Sequence, residues 1–183
     1  MPPRIAIVLP CYNEQEVLPS TARTLLALLD RFAADGIIAP DSYIMCSNDG
    51  SRDGTRSIIA ALHSADPRVK GITLAHNRGQ QAALLAGLMS VRERCDAAIT
   101  IDADLQDNPE MMREMIELFS RGTDIVYGVR SSRDSDSWFK RVSAQTFYRF
   151  QSAMGLQTVY NHADYRLMSR RALDILSQYG ESN

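Results

Sequence analysis

Short apolar runs alternate along this chain with longer stretches in which apolar residues recur every three or four positions. Ile5–Leu9, Tyr43–Ser47, Gly71–Ala75, Ala97–Ile101 and Asp124–Gly128 read as strands, the first an unbroken apolar run of the buried kind. Between the first two, Glu14–Ala34 reads as a helix whose positions Leu18, Leu25, Leu28, Leu29 and Phe32 fall near helical spacing. Asp53–Ser64 reads as a second helix, with Asp53 and Thr55 in its first turn. Gln80–Arg94 reads as a third, with an apolar face of Leu84, Leu85, Leu88 and Val91, and Pro109 opens a fourth at a position that tolerates proline. Strands alternating with helices of this length predict an α/β fold, a mainly parallel sheet with helices on both faces. Trp138–Met154 follows as an amphipathic helix with Phe139, Val142, Phe147, Phe150 and Met154 on one side, and a further helix lies around Ser169–Gln178. No linker, repeat or low-complexity stretch interrupts this order, so 1–183 reads as a single domain.

The composition agrees: 183 residues with 45% apolar and 23% charged positions supply a sizeable core. A net charge of −2 argues against a general nucleic-acid binder, which is normally basic. The charge is uneven. From Arg130 to Arg171 there are eight Lys/Arg and three Asp/Glu, against twelve and nineteen elsewhere. An acidic body with a basic C-terminal third suits a site that meets a phosphate or an anionic surface, and a solvated face is the alternative. Cys11, Cys46 and Cys95 are odd in number and lack metal-ligand spacing, which favours a reducing compartment over a disulfide framework or a zinc site. No run approaches the roughly 18 apolar residues of a membrane span, and the N-terminus enters the first strand without a signal-like segment. A cytosolic location is expected.

Ligands of such sheets sit beyond the carboxyl ends of the strands, so the chemistry is sought there. Gly-x-Gly-x-x-Gly, Gly-x-x-x-x-Gly-Lys, Gly-x-Ser-x-Gly and His-Glu-x-x-His are all absent, which removes the dinucleotide, P-loop, hydrolase-elbow and zinc-protease readings. A phospho-accepting receiver is disfavoured too, because Pro10 and Cys11 follow strand one and neither Lys70 nor Lys140 directly follows strand five. Strand two runs into Asn48-Asp49-Gly50-Ser51, where an amide and a carboxylate can bond a base or ribose, or simply form a turn capping the next helix. Strand four runs into Asp102-Ala103-Asp104-Leu105-Gln106-Asp107. If that segment stays extended, Asp102, Asp104 and Gln106 share one side and offer three hard oxygen ligands. Two close carboxylates repel unless a cation or a proton separates them, and oxygen donors alone fit Mg²⁺ or Mn²⁺ carrying substrate phosphates. Helix-capping acids before Pro109 are the alternative, which accounts for Asp107 and Asn108 but not for Asp102.

Taken in order, Val8-Leu-Pro-Cys-Tyr-Asn-Glu14, Asn48-Asp-Gly-Ser51, Asn77-Arg-Gly-Gln80 and Asp102-Ala-Asp-Leu-Gln106 resemble the inverting family 2 glycosyltransferases of the GT-A (Rossmann-like) fold. Gln80–Leu88, Gly128-Val-Arg130 and Asp164-Tyr-Arg-Leu-Met-Ser169 are similar to the branch of dolichyl-phosphate mannose synthase and the bacterial polyprenyl-phosphate glycosyltransferases. The likeness covers essentially the whole chain. It implies that Pro10, Tyr12, Glu14, Asn48, Asp49, Asn77, Arg78, Asp102 and Ala103 hold a nucleotide-sugar donor. It implies that Asp102, Asp104 and Gln106 bind Mg²⁺ or Mn²⁺ across the diphosphate. Arg130, Lys140, Arg141 and Arg166 would meet the phosphate of a polyprenyl-phosphate acceptor, with Asp104, Arg130 and Asp164 the catalytic group. The family usually has an acidic pair where this chain has Asn48-Asp49, which leaves the base open.

On this likeness the reaction is a metal-dependent transfer with inversion at the anomeric carbon. A polyprenyl phosphate is already an anionic nucleophile and needs alignment and charge neutralisation. A hydroxyl acceptor would need a base, and Asp164 is the candidate. Two alternatives stand beside this reading: a family 2 enzyme acting on a saccharide or other hydroxyl, and a nucleotide-sugar-binding module without turnover. Members of the branch usually continue into interfacial and transmembrane helices. The resemblance therefore implies a catalytic domain cut before such segments, working at the cytoplasmic side of a membrane. His63 and His76 read as ordinary polar residues, His162 as a neighbour of the acceptor motif, and Met111, Met112 and Met115 as core. Trp138 and Phe139, beside Lys140 and Arg141, suit either core packing or a membrane surface.

Overall fold

The fold is taken from a computed structural model, which describes residues 1–129 and 162–178, with side chains omitted at positions 129 and 162–164. The elements are β1 (Ile5–Cys11), α1 (Leu18–Ala34), β2 (Tyr43–Asn48), α2 (Thr55–Ala65), β3 (Val69–Thr73), α3 (Gln80–Val91), β4 (Ala97–Thr100), α4 (Met112–Ser120), β5 (Ile125–Val129), β6 (His162–Ser169) and α5 (Arg170–Leu176). They form a six-stranded sheet in the order β3-β2-β1-β4-β6-β5. Strands β1 to β4 pair in parallel, while β6 runs antiparallel between β4 and β5. The α/β alternation predicts the parallel core. No strand is expected at β6, although polar and apolar residues alternate from His162 to Leu167, with Tyr165 and Leu167 buried and Arg166 half-buried.

Every residue of β1 is buried, as a central parallel strand covered on both faces requires. Ile5, Ile7, Leu9 and Cys11 pack on one face with α1, α2 and α4, whereas Ala6 and Val8 face α3 and α5 on the other. Leu18, Leu25, Leu28, Leu29 and Phe32 of α1 are all buried, and so are Cys46 and Cys95. Two apolar expectations are corrected: Leu85 and Met111 point outward, since the stripes that reach the sheet are Leu84/Leu88/Val91 and Met112/Met115/Ile116. Glycine brings α3 close to the sheet: a Cβ on Gly87 would lie 2.6 Å from Val8 Cγ1. No helix among the described residues is long and apolar enough to cross a membrane. The predicted amphipathic helix Trp138–Met154 lies outside the described residues.

The chain order puts the return from β1 to β2 on one side and the crossing from β3 to β4 on the other. This reversal opens a crevice at the carboxyl ends of β1 and β4, the place where open α/β sheets receive ligands.

Candidate active site

At that crevice the first two strand ends are stitched together by local polar bonds. Asn13, at φ 57°, turns the chain after β1. Its amide donates to Ser51 Oγ at 3.0 Å, and its side chain accepts from the Arg52 amide at 3.0 Å. The Glu14 amide donates to Thr55 Oγ1 at 2.8 Å, and Thr55 Oγ1 donates to Asp53 Oδ1 at 2.6 Å. Asp53 thus opens α2, and Asn48 and Asp49 are left for other work. Asn48 is buried, its Oδ1 taken by the Ser51 amide at 3.1 Å and hydroxyl at 2.5 Å. Its Nδ2 is buried with no hydrogen-bond partner among the described residues.

Asp49 grips the loop that follows β3. Its Oδ1 accepts from the Arg78 amide at 2.7 Å and its Oδ2 from the Gly79 amide at 2.8 Å. Gly50 completes the grip. It sits at φ +63°, and a Cβ there would lie 2.8 Å from both Asn77 N and His76 C, so backbone rests on backbone. The Arg78 amide is thus held by Asp49. Arg78 and Asn48, both expected at the donor, are not among the residues that line the cleft.

The β4 end departs from the extended segment expected. The strand stops at Thr100, and the Leu105 amide closes a turn on the Asp102 carbonyl at 3.2 Å, with Leu105 at φ 50°. Alternation along a strand is not what gathers the carboxylates here. The turn is braced from α1, where buried Thr21 donates to the Ala103 carbonyl at 2.5 Å. Gln80 Nε2 donates to Asp102 Oδ1 at 2.9 Å, and Gln106 Nε2 donates to Asp104 Oδ2 at 2.9 Å. Tyr165 of β6 donates to the Asn108 carbonyl at 3.1 Å, and its ring leaves no room for a Cβ on Gly128, which would lie 2.6 Å from Tyr165 Cδ1.

One cleft of about 330 Å³ results. Pro10, Tyr12, Glu14, Asp49, Asn77, Asp102, Ala103 and Asp104, all named from the sequence, line it. Cys11, Gly79, Gln80 and Ala83 also line it and were missed as site residues. The signal for Gln80 was present in Asn77-Arg-Gly-Gln80, whereas a buried Cys11 carries none. The free Cys11 thiol is pushed well above its usual range by hydrogen bonding with the neighbouring Cys46 thiol and by burial. Glu14 is also raised, first by burial and then by the negative charge of Asp104, Asp53 and Asp102. The cleft mouth is thus an acidic pole. No group of three or more His, Cys, Asp or Glu among the described residues could hold a metal by itself. Two hard carboxylates that leave other positions to water and phosphate nevertheless fit Mg²⁺ or Mn²⁺, which keeps several such ligands when bound.

Of the residues expected at an acceptor site, only some lie among the described ones. Arg166 is half-buried in β6, paired with Thr100 of β4, and the antiparallel course carries the Asp164 backbone toward the same end of the sheet as Asp102. Arg130, Lys140 and Arg141 lie outside the described residues. His63 bonds the Val69 carbonyl at 2.7 Å, in keeping with an ordinary polar role.

A parallel sheet with an inserted antiparallel strand and a paired-carboxylate turn at its switch point is the GT-A fold, the architecture of nucleotide-sugar transferases. The chain belongs to glycosyl transferase family 2, whose family model matches residues 6–176. An uncharacterized glycosyltransferase of Bacillus subtilis (strain 168), YkoT, is 44% identical over 181 residues, which is 99% of this chain and 54% of that protein. A bactoprenol glucosyl transferase of Shigella phage SfX is 35% identical over 181 residues, 98% of this chain and 57% of that one. The chain therefore spans about half the length of the curated relatives it matches. Among solved structures, the mannosyltransferase PcManGT of Pyrobaculum calidifontis, in complex with GDP-Man and Mn²⁺, shares the fold with a TM-score of 0.63 at 19% identity, covering 96% of this chain and 47% of that one.

Proposed function

We propose that this chain is the donor-binding and catalytic domain of an enzyme that moves a sugar from a nucleotide-sugar to a polyprenyl phosphate, with inversion, at the cytoplasmic side of a membrane. The observation that carries the proposal is the meeting of Asp49, Asn77, Glu14, Asp102 and Asp104 in one cleft at the sheet's switch point. The likeness to bactoprenol glucosyl transferases supports the lipid acceptor.

In this reading the nucleoside lies toward Pro10, Tyr12, Asp49 and Asn77, with Asn48 behind them holding Ser51. Asp49 keeps lone pairs beyond the two it gives to the loop. The diphosphate lies toward Asp102, Ala103 and Asp104. Asp102 and Asp104, with Gln106 Oε1, would hold Mg²⁺ or Mn²⁺, which supplies positive charge against the leaving nucleoside diphosphate. Asp102 and Asp104 also hold the sugar end of the donor in line for attack. Arg166, with Arg130, Lys140 and Arg141, neutralises the acceptor phosphate, which then attacks without a strong base. The basic surplus after Arg130 and the apolar prenyl chain together suit docking at an anionic bilayer, through segments outside this chain.

The test is transfer from UDP-, GDP- and CMP-sugars to a short, water-soluble prenyl phosphate, with Mn²⁺ and with EDTA. Transfer with Mn²⁺ alone, giving the opposite anomer, is the expected outcome. Asp104→Asn should weaken nucleotide-sugar binding about tenfold, since a charge-assisted contact of about 1.5–3 kcal/mol is lost. Metal-independent binding, or transfer to hydroxyl acceptors alone, would overturn the proposal.

A further inference from the structure

We infer that Leu105 is a positioning residue for Asp104: its side chain, seated on the core, holds the left-handed backbone that presents Asp104 to the cleft. The inference rests on the proposed metal role of Asp102 and Asp104. It assigns a task to an apolar residue that is not among those lining the cleft.

Two non-glycine residues among the described ones have a positive φ, Asn13 at 57° and Leu105 at 50°. Asparagine enters the left-handed region readily because its short amide can bond locally. A leucine there crowds its Cβ against the following carbonyl oxygen. Local preference therefore does not account for Leu105, and a glycine would take the same φ without that crowding. What a leucine adds over glycine is a side chain to bury. Leu105 is half-buried and packs against the core cluster shared by β1, α1 and α4. Its amide closes the turn on the Asp102 carbonyl at 3.2 Å. An unfavourable backbone conformation is thus held by tertiary contacts, the condition under which such conformations persist.

The place of this anchor in the turn gives it its task. Ala103 is 3% exposed, belongs to the same core cluster, and offers its carbonyl to Thr21. Asp104 therefore stands exposed between two neighbours that are both seated on the core. Gln106 meets it across the left-handed step, its amide donating to Oδ1 at 3.2 Å and its Nε2 to Oδ2 at 2.9 Å. Further on, Tyr165 holds the Asn108 carbonyl at 3.1 Å. Leu105 is the apolar anchor between these two polar ones. Without its seat, residue 105 would relax toward the extended or right-handed conformations that leucine prefers, and the chain after Asp104 would change course. The carboxylate would then lose the setting in which it lines the cleft with Asp102. Residues that lock a ligand in place set affinity without touching the ion.

The experiment titrates Mn²⁺ alone into wild type, Leu105→Met, Leu105→Ala, Leu105→Gly and Asp104→Asn, following free Mn²⁺ by electron paramagnetic resonance and recording the melting temperature of each. Asp104→Asn should lose binding. Leu105→Ala keeps the crowded backbone without the anchor, and Leu105→Gly removes both. Each should bind Mn²⁺ about tenfold more weakly, the lower end for a lost supporting residue. Leu105→Met, a swap of similar volume that can refill the seat, should bind as the wild type does. Lower melting with wild-type Mn²⁺ affinity in Leu105→Ala and Leu105→Gly would make Leu105 core packing alone and overturn the inference. Wild-type affinity in Leu105→Gly beside weakened Leu105→Ala would assign the task to the backbone conformation and overturn the role of the side chain. No Mn²⁺ binding by the wild type, or undiminished binding in Asp104→Asn, would remove the metal reading and this inference with it.

Discussion

Removing the Asp49 carboxylate should loosen the β3–α3 loop, and the size of the effect follows from what that group holds. Asp49 is 2% exposed and spends both oxygens on backbone amides, Arg78 at 2.7 Å and Gly79 at 2.8 Å. A hydrogen bond to a charged group contributes about 1.5–3 kcal/mol. Two facts place each bond at the lower end. The Gly79 amide keeps Asn77 Oδ1 as a second acceptor at 3.2 Å, and the loop residues are exposed, so water can solvate the freed amides. Asp49→Ala should therefore cost about 3 kcal/mol in total. At about 2–4 °C per kcal/mol for a chain of this size, the melting temperature falls by roughly 6–12 °C. Asp49→Asn, which keeps one acceptor and turns an amide N–H toward a backbone donor, should fall between. Thermal denaturation gives the stability, and amide hydrogen exchange at Arg78 and Gly79 reports the loop itself. Nucleoside diphosphate binding should fall with loop protection, because Asn77 and Gly79 line the cleft. Lost nucleotide binding with unchanged melting and unchanged exchange would refute this reasoning and make Asp49 a direct ligand contact only.

Gly50→Ala should destabilise the same junction, since a Cβ 2.8 Å from the Asn77 amide forces the loop off β2 and φ +63° adds strain; wild-type melting and wild-type UDP and GDP binding would contradict this. Thr21→Val should leave the Ala103 carbonyl without its buried donor at a cost of about 1–3 kcal/mol, read as a shift in denaturant midpoint, and should weaken Mn²⁺ binding by letting the carboxylate turn relax. Asp124 is held below the usual carboxylate range by Arg171 and then by Ser169, whose hydroxyl donates to it at 2.7 Å. Its contribution to stability is present above the unfolded value of about 3.9 and is lost as pH falls through its lower folded value. A melting-temperature profile of Asp124→Asn should therefore converge on the wild type in strong acid and fall below it at neutral pH.

Much of this protein is legible along the chain. Apolar runs need two covered faces, so Ile5–Leu9, and Ala97–Ile101 with its single polar Thr100, mark central parallel strands, and the spacing of Leu18 to Phe32 marks the face that covers them. Strand ends collect chemistry, so Glu14, Asp49, Asn77, Asp102 and Asp104 stand out before any coordinates do. The sequence leaves three things undecided. The first is the place of β6: polar and apolar residues alternate from His162 to Leu167, but insertion antiparallel between β4 and β5 is chosen by pairing across distant segments. The second is the conformation of Asp102–Gln106, where sequence alternation suggests an extended run. A left-handed Leu105 and the Thr21 bond to Ala103 make a turn instead, which is a tertiary choice between two local options. The third is the division of labour among polar groups that look alike in one dimension. A carboxylate or amide can meet a ligand, a backbone or another side chain, and the winner is whichever unsatisfied group folding brings within about 3 Å. Asp49 meets the Arg78 and Gly79 amides and Gln80 meets Asp102, contacts that span 29 to 30 and 22 residues and exist only once β2, α3 and β4 share one sheet.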